Sequence, residues 1–499
     1  MLIISLVLAL TAIGYLLLNM HIYSVRRTYR HIKSPPISQN LTWFLGLLPD
    51  FKKRIQVSPN GAQVLAQYHH DFKWDLFVLP IFTKNIIFCM ELEIIGKVLA
   101  DWKTFPKDEG YKKVFSFISG VRIFGNYGLL SDPGTNVWYA KRRAMDPGFH
   151  KSFLKSIIPE MNKVVNKIVR HLKSRPSSTI FDICLDMNQS AFEAISSCGF
   201  NMSSSVMATH GNHIVKTVPL ILQAMTLSMR ESSFKYPWAW RKEKTTLKES
   251  VEVIRDLIRN LLLERIKSDA PENPDLMSHI INSNKCSDQL SIDDLVDDYL
   301  VFLIAGMETT AITMAITLFY LANNSGIFFK VRSEIDSVVK RGESMKPDDV
   351  NKLVYLEMVI KECLRMKPPV RAVGRCCVKD DVVVNGLKIP NGAEIHIPIM
   401  DLHHDSRYWE NPQLFDPDRF SPDSKKKIKS FSYLPFAAGA RSCIGKNFAI
   451  LEAKMVVSRI VQEFDLVNPY PEVTDLKTAG FVTSRPVDGV NLKLCPRPQ

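Results

Sequence analysis

The first 25 residues carry no Lys, Arg, Asp or Glu, and the run from Leu2 to Leu18 is interrupted only by Ser5, Thr11 and Gly14. An apolar run of that length suits a helix across a bilayer. Arg26, Arg27, Arg30 and Lys33 follow at once, a flank that puts the rest of the chain on the cytosolic side by the positive-inside rule. A cleaved signal peptide fits less well, because the basic end follows the apolar run and no small-residue cleavage site precedes it. From about Pro147 to Met366 apolar positions recur with helical spacing. Within that stretch, Asp298-Tyr-Leu-Val-Phe-Leu-Ile-Ala305-Gly306-Met-Glu308-Thr309-Thr310 is apolar nearly all round, which predicts a buried helix. Ser291-Ile-Asp-Asp ahead of it reads as a capping start. Lys446 to Val457 predicts another buried helix. Strand patterns are few: Asp75–Phe82 with Asn85–Met90 reads as one hairpin, and Val382–Ile397, with Asn-Gly at 385–386 and 391–392, as another ribbon. The pattern is that of a mainly α chain with a small β region.

The chain has 499 residues, and no Pro/Gly/Ser linker or repeat divides it. The expected organisation is a transmembrane anchor over 1–25, a basic hinge over 26–50 and one large domain over 51–499. Lys and Arg total 64 against 51 Asp and Glu, a formal charge of +13. Such an excess serves solubility, or attracts nucleic acid, anionic lipid or an acidic protein. No nucleic-acid fold signature is visible, which leaves lipid and an acidic partner. Nine cysteines, an odd number without framework spacing, suit a reducing compartment, and the sequons at Asn40, Asn188, Asn201 and Asn323 would then stay unmodified.

Chemistry concentrates near the C-terminus, in Phe436-Ala-Ala-Gly439-Ala-Arg441-Ser-Cys443-Ile-Gly445. A thiol ligates metal as thiolate, and an iron centre with nearby backbone N–H groups keeps it ionised. Gly439 and Gly445 allow φ > 0 or a close pass by a flat macrocycle, and Phe436 offers an apolar face to dry the sulfur. Arg441 is within reach of a haem propionate. The following helix would favour the anion through its N-terminal dipole. A lone cysteine is more often a small buried residue, the reading that fits Cys89, Cys184, Cys198, Cys286, Cys363, Cys376, Cys377 and Cys495. A phosphate loop fails on spacing, and Asn447 stands where Ser or Thr should hold magnesium.

On this loop the chain resembles the cytochrome P-450 family of haem-thiolate monooxygenases, and the match continues through most of its length. Glu362-Cys-Leu-Arg365 and Arg419 of Phe415-Asp-Pro-Asp-Arg419-Phe resemble the family's Glu-Arg-Arg lock, which braces the ligand loop; taken alone, such pairs are ordinary surface contacts. Ala305 and Gly306 would allow close approach of the ring and dioxygen. Thr309 resembles the alcohol that delivers protons to dioxygen, and Glu308 the acid that feeds it, although both threonines could simply satisfy their hydroxyls in a buried helix. Trp138 and Arg142, at i and i+4, resemble the family's propionate pair. Arg375 sits where another propionate arginine is expected, with Arg371 as a competitor. The triangular fold, a mobile entrance at Phe234-Lys-Tyr236-Pro-Trp238-Ala-Trp240 and a basic proximal face at Lys425–Lys429 and Lys446 are further implications. For the entrance segment and the lysines, ordinary solvated surface is the alternative. Ser34-Pro35-Pro36-Ile37 departs from the family's usual Pro-Pro-Gly-Pro hinge.

The resemblance implies haem b held by Cys443 as the metal ligand, with dioxygen and electrons from NADPH supplied through a separate flavoprotein reductase, cytochrome b5 being a further possible donor. The substrate would be hydrophobic and the setting the endoplasmic reticulum membrane, single-pass, with the catalytic domain cytosolic. Val121-Arg-Ile-Phe-Gly-Asn-Tyr-Gly-Leu-Leu, Trp138-Tyr-Ala-Lys-Arg-Arg and Arg485-Pro-Val-Asp-Gly-Val are similar to the cholesterol 24-hydroxylase subfamily, so a sterol is the preferred substrate class. Fatty acids or xenobiotics, a reductase-independent hydroperoxide isomerase, and a haem sensor or lipid carrier are the alternatives.

Overall fold

The computed structural model describes residues 2–34, 61–81, 84–230, 238–268, 275–283, 291–480 and 482–498, with single positions at 47, 50, 53, 54, 234 and 236. The hinge from Pro35 to Ile37, the sequon at Asn40, Phe82, Lys235, Pro237 and Cys286 lie outside them.

The core is organised by one helix, Ile292–Asn323. Its start follows from the sequence: Ser291 Oγ accepts the Asp294 N–H at 3.3 Å and Asp294 Oδ2 accepts the Ser291 N–H at 2.8 Å, a reciprocal cap. Val296, Leu300, Met307, Met314, Ala315 and Leu318 are essentially sealed from solvent. Its length and apolarity would also let it cross a membrane, but that apolarity is spent on the core. Helices Ile183–Glu193, Arg241–Lys267, Val354–Met366 and Lys446–Glu463 pack around it. The helical stretch expected from Pro147 to Met366 is broken by a short strand and by a π-helical turn at Ala194–Gly199.

Thirteen strands among the described residues form small sheets: β1 Leu76–Ile81, β2 Lys84–Cys89, β3 Phe117–Ile118, β4 Val121–Arg122, β5 Ile180–Asp182, β6 Ala372–Cys376, β7 Val382–Val384, β8 Leu387–Ile389, β9 Glu394–Pro398, β10 Phe464–Val467, β11 Thr478–Ala479, β12 Arg485–Pro486 and β13 Asn491–Pro496. The hairpin β1–β2 forms as expected, pairing Val78 with Ile87. The second ribbon does not stay together. β7 and β8 make a separate hairpin whose turn residues Asn385 and Gly386 have φ of +50° and +77°, the mirror-turn geometry that Asn-Gly favours. β9 leaves it to run parallel to β2 and antiparallel to β6. Phe77, Leu79, Phe88, Ile395 and Ile397 from this four-stranded sheet form a second core.

The N-terminal helix spans Leu2–Thr28. Tyr29 and Ile32, just past its end, are seated in the sheet core, whereas Tyr15, Leu16, Leu17 and Met20 are about 60% exposed. Bare apolar turns therefore stand away from the body of the protein.

Candidate active site

The loop Phe436–Gly445 is a tight bend. The Cys443 N–H donates to the Phe436 carbonyl at 2.9 Å and the Ser442 N–H to the Gly439 carbonyl at 3.0 Å. Gly439 has φ +74°, and a Cβ there would collide with the Leu99 carbonyl. This glycine takes the positive φ expected as one of its two uses, and it lets the loop tuck against helix Leu92–Ala100. Gly445 has φ −82° and caps helix Lys446–Glu463, so it makes no use of left-handed backbone. Phe436 is half-buried against the main core.

Cys443 lies just ahead of the positive end of that helix. Burial pushes its thiol up, while the N–H groups of Gly445 and Lys446 and the charges of Arg142 and Lys446 pull it back. The side chain is ringed by protein, yet its surface is accessible, as befits a sulfur facing an internal hollow. On the central helix Ala305 is exposed and Thr309 half-exposed, although Ile304, Met307 and Glu308 beside them are buried. Phe149 joins the two walls. Its ring centroid is 5.4 Å from that of Phe302, one turn before Ala305, and its edge is 3.8 Å from the Cβ position of Gly445. Phe149 thus links the Gly445 end of the cysteine loop to the central helix one turn before Ala305, on which Ala305 and Thr309 keep accessible surface. Gly306 turns elsewhere: a Cβ on it would point at Ile195, 3.4 Å away.

Thr309 Oγ1 donates to the Ala305 carbonyl at 2.8 Å, and Thr313 and Thr317 repeat the pattern at 2.9 and 2.7 Å. Glu308 is 3% exposed. Burial raises its carboxyl, opposed by Arg485 and by a hydrogen bond from Thr483. The acid and the Thr309 hydroxyl are adjacent in sequence but hold different partners here.

Two residues before Cys443, Arg441 meets two further cations, Lys107 and Arg375. The Arg441 guanidinium lies 3.5 Å above the ring centroid of buried Trp138. Its Nη2 donates to the Asp132 carbonyl at 3.0 Å, whereas its Nε and Nη1 are buried without a partner. Arg375, 2% exposed on β6, leaves its Nε unpartnered as well. Lys107 donates to the Leu130 carbonyl at 2.9 Å. Burial, then repulsion from Arg441 and Arg375, holds it well below the usual lysine range. Arg441 itself is pushed down to about 9 by burial, with Asp132 opposing. Asp108 and Asp132 offset part of the repulsion on Lys107; Asp108 also accepts the Gly110 N–H, and Asp132 the Gly134 and Thr135 N–H groups. Surplus charge and unpartnered donors together would suit the two carboxylates of a haem, for which Cys443 would offer a sulfur ligand. Lys107 went unread in the sequence, because a single lysine in Phe-Pro-Lys-Asp carries no spacing signal and only the fold brings it to Arg441.

Arg371 and Arg375 are separated by their surroundings. Arg371 donates to Ser484 Oγ at 2.6 Å and to the Thr478 carbonyl at 3.0 Å, so it is committed to protein. Arg142 is also committed, gripping the Ser442 carbonyl at 2.8 Å and Asp146 at 2.9 Å. It holds the backbone next to Cys443.

The lock residues meet as expected. Glu362 and Arg365 are completely buried and bidentate at 2.7 and 2.8 Å. Glu362 also accepts the Asp416 N–H at 2.9 Å and lies 3.5 Å from Arg419 Nε. Arg365 reaches the carbonyls of His403 and Pro412, both at 2.8 Å. His403 Nε2 in turn accepts the Leu434 N–H at 2.8 Å, two residues before Phe436. Contacts thus lead from the lock through His403 to Leu434, two residues ahead of the cysteine loop.

A family model described as Cytochrome P450 matches residues 35–490. "Cytochrome P450 4V2" of Rattus norvegicus is 27% identical over 471 residues, covering 88% of this chain and 86% of the relative. "Cytochrome P450 3A11" of Mus musculus is 28% identical over 406 residues, with coverages of 77% and 80%. "Probable cytochrome P450 4ac1" of Drosophila melanogaster is 27% identical over 451 residues, with coverages of 86% and 83%. With the family's pattern running through nearly the whole described catalytic body, the chain belongs to the cytochrome P450 family, whose members are monooxygenases using haem b, dioxygen and reductase electrons.

Proposed function

We propose that this chain is a membrane-anchored monooxygenase that hydroxylates a hydrophobic substrate, with a sterol as the preferred class and electrons from NADPH delivered by a separate flavoprotein reductase. The observation that carries the cofactor assignment is the crowding of Lys107, Arg375 and Arg441, with buried nitrogens of the two arginines unpartnered, beside a loop that exposes Cys443. Haem, when bound, supplies the activation of dioxygen. Cys443 serves as its thiolate ligand, and the three cations with Trp138 hold its carboxylates. The Thr309 hydroxyl, released from the Ala305 carbonyl, passes a proton into the hollow, and Glu308 replenishes it. Ala305 leaves room beside the ring. The exposed lysines at 425–427, 429 and 446 supply a basic face for an acidic reductase or cytochrome b5, so high salt should slow electron transfer.

The apolar helix Leu2–Thr28, about 40 Å long at 1.5 Å per residue, supports anchoring in the endoplasmic reticulum membrane with the catalytic domain, 51–499, in the cytosol. Deleting residues 1–25 should move the protein from carbonate-resistant membranes to a salt-extractable fraction; full retention in the membrane would refute the anchor. The relatives described above are not sterol hydroxylases by name, which keeps fatty acids and xenobiotics as a second reading. Turnover of a panel of sterols, fatty acids and xenobiotics by the reconstituted protein with reductase, read by mass spectrometry, decides between them. Turnover of a hydroperoxide without reductase would favour the isomerase reading, and haem binding without any turnover the sensor.

A further inference from the structure

We propose that Thr483 is a positioning residue for the proton supply, holding the Glu308 carboxyl in place at the side of the hollow from the turn between β11 and β12. This deepens the reading above, because it rests on Glu308 as the acid that feeds Thr309.

Three observations converge on this turn. The first is the contact itself: Thr483 Oγ1 donates to Glu308 Oε1 at 3.3 Å. Among the described residues no other side chain hydrogen-bonds that carboxylate. At 3.3 Å the bond is long for a hydroxyl donor, so it orients the acid and can part when the carboxyl swings toward Thr309. The second is that the turn is built to deliver Thr483. Gly480 has φ +141°, and a Cβ there would collide with the Thr483 carbonyl, so the bend demands glycine. Arg371 ties down Ser484 and Thr478 on either side, and the Ser484 N–H donates to the Pro369 carbonyl at 2.7 Å. The buried Arg371 thus fixes the two ends of the segment, at Thr478 and Ser484. The third is location. Pro369 leads into the strand that carries Arg375, and Glu308 adjoins Thr309, so the turn bridges the two walls that flank the ring site.

The charged and titratable groups that bear on Glu308 are Arg485 on β12, which favours its carboxylate, and the Cys184 thiol on helix Ile183–Glu193. Neither donates to it, which leaves Thr483 as the orienting group. Removing the hydroxyl therefore has two effects of opposite kind. The carboxyl loses a donor that favours its ionised form, so its titration midpoint rises, and it loses its orientation, so proton delivery falters.

The test compares Thr483→Val, Thr483→Ala, Thr483→Ser and Glu308→Gln in the haem-loaded protein with reductase, each first shown to keep the thiolate spectrum of the reduced carbon-monoxide complex. The protonated carboxyl band of Glu308 is located by infrared difference spectroscopy through its loss in Glu308→Gln, then titrated. The expected result is roughly tenfold more peroxide released per product in Thr483→Val and Thr483→Ala. The infrared midpoint should move up, KM should hold, and Thr483→Ser should restore both readouts. Wild-type coupling and an unmoved midpoint in both hydroxyl-free variants, alongside an uncoupled Glu308→Gln, would overturn the role of Thr483 and leave the relay standing. A fully coupled Glu308→Gln would instead overturn the relay itself.

Discussion

Glu362→Ala is the perturbation whose cost the structure specifies best. Glu362 and Arg365 are sealed from solvent, and the alanine would strand a guanidinium in the interior while orphaning the Asp416 N–H. Breaking a buried pair from one side costs about 3–5 kcal/mol. With an unfolding entropy of roughly 2.1 cal/mol/K per residue over a chain of 499 residues, the thermal midpoint should fall by about 3–5 °C. The local effect is larger, because the strand of polar contacts from Arg365 through His403 to Leu434 ends two residues from Phe436. Haem retention should then drop by about 10²- to 4 × 10³-fold if the full cost falls on the loop. Haem per chain by the pyridine adduct, the reduced carbon-monoxide spectrum and the calorimetric midpoint measure this together. Glu362→Leu with Arg365→Met should recover only part of the loss, since Arg365 also serves the His403, Pro412 and Leu414 carbonyls. An alanine variant with full haem, full turnover and a midpoint within about 1 °C of wild type would refute the bracing argument.

Thr309→Ala should leave haem binding and substrate affinity intact while product per NADPH falls and peroxide release rises, and unchanged coupling would remove Thr309 from the relay. Lys107→Met should weaken haem retention by roughly 10–100-fold, the worth of one charge-assisted hydrogen bond of about 1.5–3 kcal/mol, measured as haem transfer to apomyoglobin. Acid should loosen the cysteine loop through His403. Burial, then His404 and Arg365, lower His403 to about 3, so the unfolded chain binds more protons than the folded one between that value and the usual 6.5, and stability is lost as pH falls through this window. A midpoint-against-pH series should therefore decline below about pH 6.5, and less steeply in His403→Gln; identical slopes would exclude His403 as the cause.

What the linear chain determined is what short spacing can encode. The apolar turns of Ile292–Asn323 and their Ser291 cap, the Asn-Gly hairpin at 385–386, the i, i+3 pair Glu362–Arg365 and the bend that presents Cys443 all depend on residues within a turn or two of each other. Local sterics and backbone hydrogen bonding settle such features wherever the segment lies. The tertiary structure alone decided which groups share a space. It carried Lys107 to Arg441, laid Arg441 on Trp138, set Gly439 against the Leu99 carbonyl and spent Arg371 on Ser484 while leaving Arg375 Nε without a partner. It also delivered Thr483 to Glu308 across 175 positions of sequence. Charge repulsion, burial and an unmade hydrogen bond depend on distance in space, and a one-dimensional pattern holds no record of that distance.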